Sequence, residues 1–163
     1  MNTQQIESIM KQDPYVNPTF QGVFAIDELP YFKYGSCILN TSPSTEKNGH
    51  WVAMFVTYSD VEYFDSYGGD PLTILKRRWS NKTWFSNQIP LQSPLSAVCG
   101  QYCIYYLMHR VRGLSMSSIV MDFGSDVDRN DERVYEFIES RFDVDTKLLD
   151  TEGVIRQLAR ASI

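Results

Sequence analysis

The stretch LQSPLSAVCGQYCIYYL, Leu91–Leu107, decides how the chain is read. From Cys99 onward it is apolar and aromatic apart from Gly100 and Gln101, which predicts a helix ending near Arg112-Gly113. Cys99 stands at or just before the first turn, with Gly100 directly after it and Gln92 seven residues before it. The N–H groups of a first turn lack intrahelical partners, and together with the helix dipole they favour an anion. A thiolate is stabilised in that position. Ser96 is the expected cap. The backbone N–H of Cys99 and the side-chain amide of Gln92 are donors of the kind that bind an oxyanion, and Gly100 leaves room for a backbone to approach. Cys103, one turn deeper on the same face, reads as a buried packing residue. Each residue taken singly also has a bland reading, since a cysteine is among the most often buried residues.

A reactive cysteine acts as the thiolate and needs a base, most often histidine. The chain holds two histidines. His109 lies on the same helix as Cys99, and ten residues at the helical rise put them roughly 15 Å apart, out of hydrogen-bond reach. It suits the dipole at a helix C-terminus instead. His50 is therefore the candidate base. It opens the strand HWVAMFVTY, His50–Tyr58, and Ser59-Asp60 turns the chain into VEYFD, Val61–Asp65. Asp65 at the end of the return strand can orient the imidazole. That requires a four- or five-residue connection, because a two-residue turn pairs Met54 with Asp65 and leaves His50 too far along. Asp60 and Asp70 are rivals for this role, each with a structural job, in the turn and as a helix cap.

The rest of the chain frames these segments. A helix is expected over Thr3–Gln12, capped by Thr3, with Ile6, Ile9 and Met10 on its apolar face. Asp13–Phe20 reads as a loop, GSCILN (35–40) as a short buried strand, and Thr41–Gly49 as a polar loop. Asp70 and Pro71 signal the start of a helix running to Trp79, and Lys76, Arg77 and Arg78 suit its C-terminal dipole better than a nucleic-acid patch. A polar stretch reaches Pro90. Further helices are expected from Ser115, over Asn130–Phe142 and over Thr151–Ala161, with an acidic loop at 124–131. The order of elements predicts an α+β fold, a central mixed or antiparallel sheet packed against the helix that carries Cys99.

The totals agree. At 163 residues and 43% hydrophobic, one domain spanning 1–163 is expected. No apolar run nears the ~18 residues of a membrane span, so no membrane is expected. A net charge of −5 and a pI near 5.0 speak against nucleic acid as a main partner. Three cysteines, an odd number, read as free thiols in a reducing compartment. Cys99 and Cys103 find no further ligands spaced for zinc, so no metal site is expected.

GHWVAMFV, YFDSYGG and QSPLSAVCGQYC together resemble the adenovirus-type maturation cysteine proteases, the adenain-like family. More distantly they are similar to the proteases that process SUMO and other ubiquitin-like proteins. FQGVFAIDELPYF, CILNT and DRNDERVYEFIESRF extend the resemblance over most of the chain. It implies a papain-like or adenain-like fold with His50 as base, Asp65 as orienting acid, Gln92 as oxyanion donor, Cys99 as nucleophile and Trp51 walling the cleft. It further implies an endopeptidase that matures viral capsid or core precursors, cutting near glycine, with a source such as a virophage or a virus-like transposon. The expected setting is the virion and the infected host cell. The span from Asp65 to Gln92 is shorter than in adenain, the cysteine that binds adenain's activating peptide has no counterpart, and the chain is acidic. A monomer needing neither activating peptide nor DNA, with no cofactor and with protein substrates, is the resulting expectation. Two rivals stand beside it: a protease specific for a ubiquitin-like modifier, and an inactive binding module on the same fold.

Overall fold

The structure, a computed structural model, describes residues 1–46 and 48–142. The expected helix over Thr151–Ala161 lies outside them. Helix α1 spans Thr3–Gln12 as the sequence predicts, but Asn2 is its cap. The Asn2 side chain accepts from the Gln5 N–H at 3.0 Å and the Gln5 side chain accepts from the Asn2 N–H at 2.9 Å, closing a capping box.

Five strands follow in the order of the sheet itself: β1 (Phe20–Ala25), β2 (Gly35–Asn40), β3 (Trp51–Val56), β4 (Asp60–Phe64) and β5 (Thr83–Ser86). The two inner contacts, β2–β3 and β3–β4, are antiparallel, while β1 and β5 join the edges in parallel. The sheet is thus mixed, as expected; β1 begins at the end of the expected Asp13–Phe20 loop and runs through residues given no element, and β5 lies within the polar stretch before Pro90. Both faces of β3 are covered. Trp51, Ala53 and Phe55 face one core cluster, and Val52, Met54 and Val56 face another. A strand buried on both sides needs no polar alternation, which is why HWVAMFVTY is nearly all apolar.

The first cluster lies under α3 (Cys99–Arg110), whose residues 100–108 are all buried. Helix α1, α4 (Met116–Met121) and α5 (Val127–Glu139) pack around it. Ser115 caps α4 by accepting from the Ser118 N–H. Helix α5 starts three residues earlier than the apolar spacing predicts. Asp126, inside the expected acidic loop, caps it by accepting from the Arg129 N–H at 3.2 Å. The second cluster is closed by α2 (Thr73–Arg78) and Trp79. Asp70 and Pro71 do not open that helix. Leu72 packs on the cluster with extended backbone, so the helix begins only at Thr73.

Candidate active site

The hairpin register decides whether His50 and Asp65 can meet. Val56 pairs with Val61, leaving four residues, 57–60, between them. Asp60 already belongs to β4 and its carbonyl accepts the Thr57 N–H at 2.9 Å, so the chain turns at Tyr58-Ser59, one residue earlier than expected, and this shift rather than a longer connection sets the register. Carried beyond Ala53 opposite Phe64, the same count sets Val52 level with Asp65 and His50 level with Tyr67. His50 is tied to the sheet through its backbone, its carbonyl accepting from the Thr41 N–H at 2.9 Å. Its Nε2 then lies 2.6 Å from Asp65 Oδ1. A carboxylate oxygen only accepts, so Nε2 carries the proton, and Nδ1 is left for Cys99.

Asp65 is fixed by a compact turn. Its carboxylate also accepts the backbone N–H of Tyr67 at 2.8 Å and that of Gly69. A side chain at 69 would begin 2.6 Å from Asp65 Oδ2, so the carboxylate occupies the space that glycine leaves open. The buried Asn87 brackets the Asp65 backbone, accepting its N–H at 2.9 Å and donating to its carbonyl at 2.7 Å. Burial alone would raise the Asp65 pKa, but the His50 contact and the two N–H groups hold it below the usual carboxylate value. The rivals are occupied elsewhere: Asp60 accepts from Ser59 Oγ in the turn, and Asp70 accepts from Gln88.

Cys99 is the first residue of α3, with Val98 at the cap position and no side-chain cap. Ser96 does not cap the helix; its hydroxyl donates to the Ser93 carbonyl at 3.1 Å. The Cys99 sulfur hydrogen-bonds His50 and accepts the backbone N–H of Trp51. Burial pushes the thiol up, yet these two contacts and the imidazolium charge outweigh it and leave Cys99 below its ordinary pKa. For His50, burial disfavours the charged ring, but Asp65 and Cys99 together push it up to about 9. The pair therefore favours thiolate and imidazolium. Cys103 behaves oppositely: it is fully buried and its thiol is pushed well up by burial. His109 sits near the far end of α3 with Nδ1 2.7 Å from the Tyr105 carbonyl. It lines an open hollow of about 700 Å³ against α5 that contains none of the candidate site residues.

Gln92 is brought to the segment leading into α3. Ser66 Oγ donates to its Oε1 at 2.6 Å, and its Nε2 donates to the Ser96 carbonyl and hydroxyl at 3.1 and 3.0 Å. Its amide is thus oriented and engaged with Ser96. The segment itself is clamped. Leu91 and Gln92 N–H groups donate to the Ser66 carbonyl, and the Tyr102 hydroxyl and Asn130 Nδ2 reach the Leu91 carbonyl from α3 and α5. Trp51 lines a cleft of about 650 Å³ together with Cys99, Gly49, Asn40 and the loop around Ser42–Ser44. Gly100 does not face that opening. It is buried, and a side chain there would meet Ile6 at 3.3 Å and Trp51 at 3.6 Å. Its smallness serves the close packing of α3 on α1 and Trp51, so the reading that it makes space for substrate is corrected.

Sequence reasoning missed Asn87, Gly69, the Tyr67 ring and the Trp51 main-chain N–H. Tyr67 and Gly69 lie in the YFDSYGG stretch already singled out, and a residue level with the base in the hairpin register was available as a signal. A main-chain donor has no letter of its own.

An α+β sheet carrying a cysteine on its central helix, with His and Asp supplied by the adjoining hairpin, defines a cysteine-protease fold. Among known proteins, the chain is 29% identical over 117 residues to the SUMO-1 cysteine protease S273R of African swine fever virus, isolate Pig/Kenya/KEN-50/1950, covering 62% of this chain and 41% of that protein. The cysteine protease S273R of the strain Badajoz 1971 Vero-adapted matches at the same identity and covers 42% of its length. The chain thus spans about two fifths of the curated relatives it matches. The crystal structure of the African swine fever virus pS273R protease superimposes with a TM-score of 0.59 at 17% identity, over 82% of this chain and 65% of that one. No protein-family model matches.

Proposed function

We propose that the chain is a cysteine protease of the SUMO-protease type that hydrolyses a peptide bond at the C-terminal end of a ubiquitin-like modifier. The observation carrying this reading is the hydrogen-bonded line Asp65–His50–Cys99, with the sulfur on the N-terminal residue of α3. His50 Nδ1 holds the Cys99 proton. The thiolate attacks the carbonyl carbon and the oxygen gains the negative charge. Gln92 Nε2, turned from Ser96, and first-turn N–H groups of α3 receive that oxyanion. As it collapses the C–N bond breaks and His50 gives its proton to the leaving amine. Water then attacks the thioester, returning a proton to His50, and the C–S bond breaks to release the acid. Asp65 keeps the imidazole in the tautomer that presents Nδ1 to sulfur throughout.

The modifier is favoured as substrate by the relatives named as SUMO-1 proteases. The viral source of those relatives favours a second reading, cleavage of a viral structural precursor near glycine in the virion or infected cell. In either reading the chain acts as a monomer without an added cofactor, and its origin is viral or virus-like. Purified chain is incubated with modifier precursors, with a modifier-derived vinyl electrophile and with a glycine-rich peptide library. The expected outcome is a covalent adduct on Cys99 and precursor trimming, both abolished in Cys99→Ala. Cutting by Cys99→Ala would end the proposal. Cutting of the library without any adduct on the modifier probe moves the assignment to the viral precursor.

A further inference from the structure

We infer that Tyr67 is a positioning residue for both halves of the proposed catalytic site, an inference that rests on the triad reading above. Its three functional groups each touch a different part of that site. The ring lies against the His50 imidazole with centroids 4.7 Å apart and planes 29° from parallel. The backbone N–H donates at 2.8 Å to Asp65 Oδ1, the same oxygen that receives His50 Nε2–H. The hydroxyl donates at 3.3 Å to the Ser96 carbonyl, which also accepts Gln92 Nε2 at 3.1 Å. Tyr67 is 38% exposed, so filling the core does not explain a large aromatic here. The turn fixes its place: the Gly68 N–H donates to the Asp65 carbonyl at 2.8 Å, with Gly68 at φ 72°.

Two consequences follow from the chemistry. The face of a phenol ring is electron-rich and attracts a cation. Tyr67 therefore favours the charged imidazolium over the neutral ring, and through it the Cys99 thiolate. The face also blocks rotation of the imidazole away from the line between Asp65 and Cys99. The hydroxyl acts on the oxyanion side. For Gln92 to turn its amide to an oxyanion, the Ser96 carbonyl must lose a donor, and an unpaired carbonyl is costly. The Tyr67 hydroxyl remains on that carbonyl, so release of Gln92 leaves it satisfied.

The test separates ring from hydroxyl. The pH dependence of Cys99 alkylation by iodoacetamide is measured for wild type, Tyr67→Phe and Tyr67→Leu, with Tyr67→Met replacing Tyr67→Leu if thermal melting shows that variant unfolded. This readout needs no substrate. Wild type and Tyr67→Phe are expected to share one profile, with the non-aromatic variant shifted to higher pH by about one unit, the roughly tenfold effect of one cation–π contact. With a peptide substrate, Tyr67→Phe is expected to lower kcat roughly threefold to tenfold at unchanged KM, the size of one net hydrogen bond. A non-aromatic variant with the wild-type profile, or a Phe variant with unaltered kcat, overturns the inference. A wild-type Cys99 that alkylates only in the ordinary thiol range instead overturns the triad reading beneath it.

Discussion

The two ends of the β3–β4 hairpin both bury polar groups, and they do so in opposite ways. At the turn, the Lys82 ammonium donates to three backbone carbonyls, those of Thr57 at 2.6 Å, Tyr58 at 2.9 Å and Lys33 at 3.2 Å. Beside it the Trp79 indole donates to the Phe32 carbonyl at 2.8 Å. At the open end, His50 lies between Asp65 and Cys99. A peptide carbonyl cannot take up a proton near neutral pH, so the partners at the turn end offer no site to which a proton can move. Every side chain in the open-end line is titratable, and each one's charge sets its neighbour's. The first arrangement secures the fold; the second is suited to moving a proton.

That contrast can be broken or sharpened by substitution. Asp65→Asn keeps the size of the side chain but removes the charge that holds the imidazole, and kcat/KM is expected to fall roughly 10³-fold with little change in thermal melting. Gln92→Ala removes the proposed oxyanion donor and is expected to lower kcat roughly 10²-fold while KM stays within about threefold, as steady-state kinetics would report. A pH–rate profile probes the whole pair. Activity should persist below the ordinary thiol range, because Cys99 is depressed, and decline above about 9 as His50 loses the proton that the leaving amine needs. A basic limb unmoved by Asp65→Asn would contradict the role given to that carboxylate. Lys82→Met is expected to leave kcat within about twofold and to cost about 3 kcal/mol in urea unfolding, because three carbonyls lose their donor. If it slowed peptide cleavage as much as Asp65→Asn, the division between the two ends would fail.

Much of the site is legible in the sequence because its chemistry narrows the choice. A cysteine opening an apolar helix is visible in VCGQYC, and with two histidines in the chain, helix geometry alone removes His109. The hairpin is visible in two apolar runs around Ser59-Asp60. The edge strands are harder. FQGVFA carries a register shift at Gln21, between Phe20 and Gly22, the latter at φ 134°, and its burial does not alternate cleanly. TWFS is four residues long and joins β4 in parallel, without a tight turn to announce it. Asn87 and Asp65 are 22 residues apart, and their meeting depends on how β5 joins the sheet. Gly100 misled because a glycine beside a cysteine reads equally as clearance for a ligand or for a neighbouring helix. Ile6, on the far side of the sequence, decides between them.

The sulfur receives its imidazole from His50 and a backbone N–H from Trp51, the residue just before β3 and the first residue of that strand. Any sliding of that strand along α3 withdraws the proton acceptor and the anion-stabilising donor in a single movement. Displacement would thus leave a quiescent sulfhydryl rather than a stranded, indiscriminately reactive one. Safety when disengaged would then be a property of adjacency in the chain, requiring no separate shield.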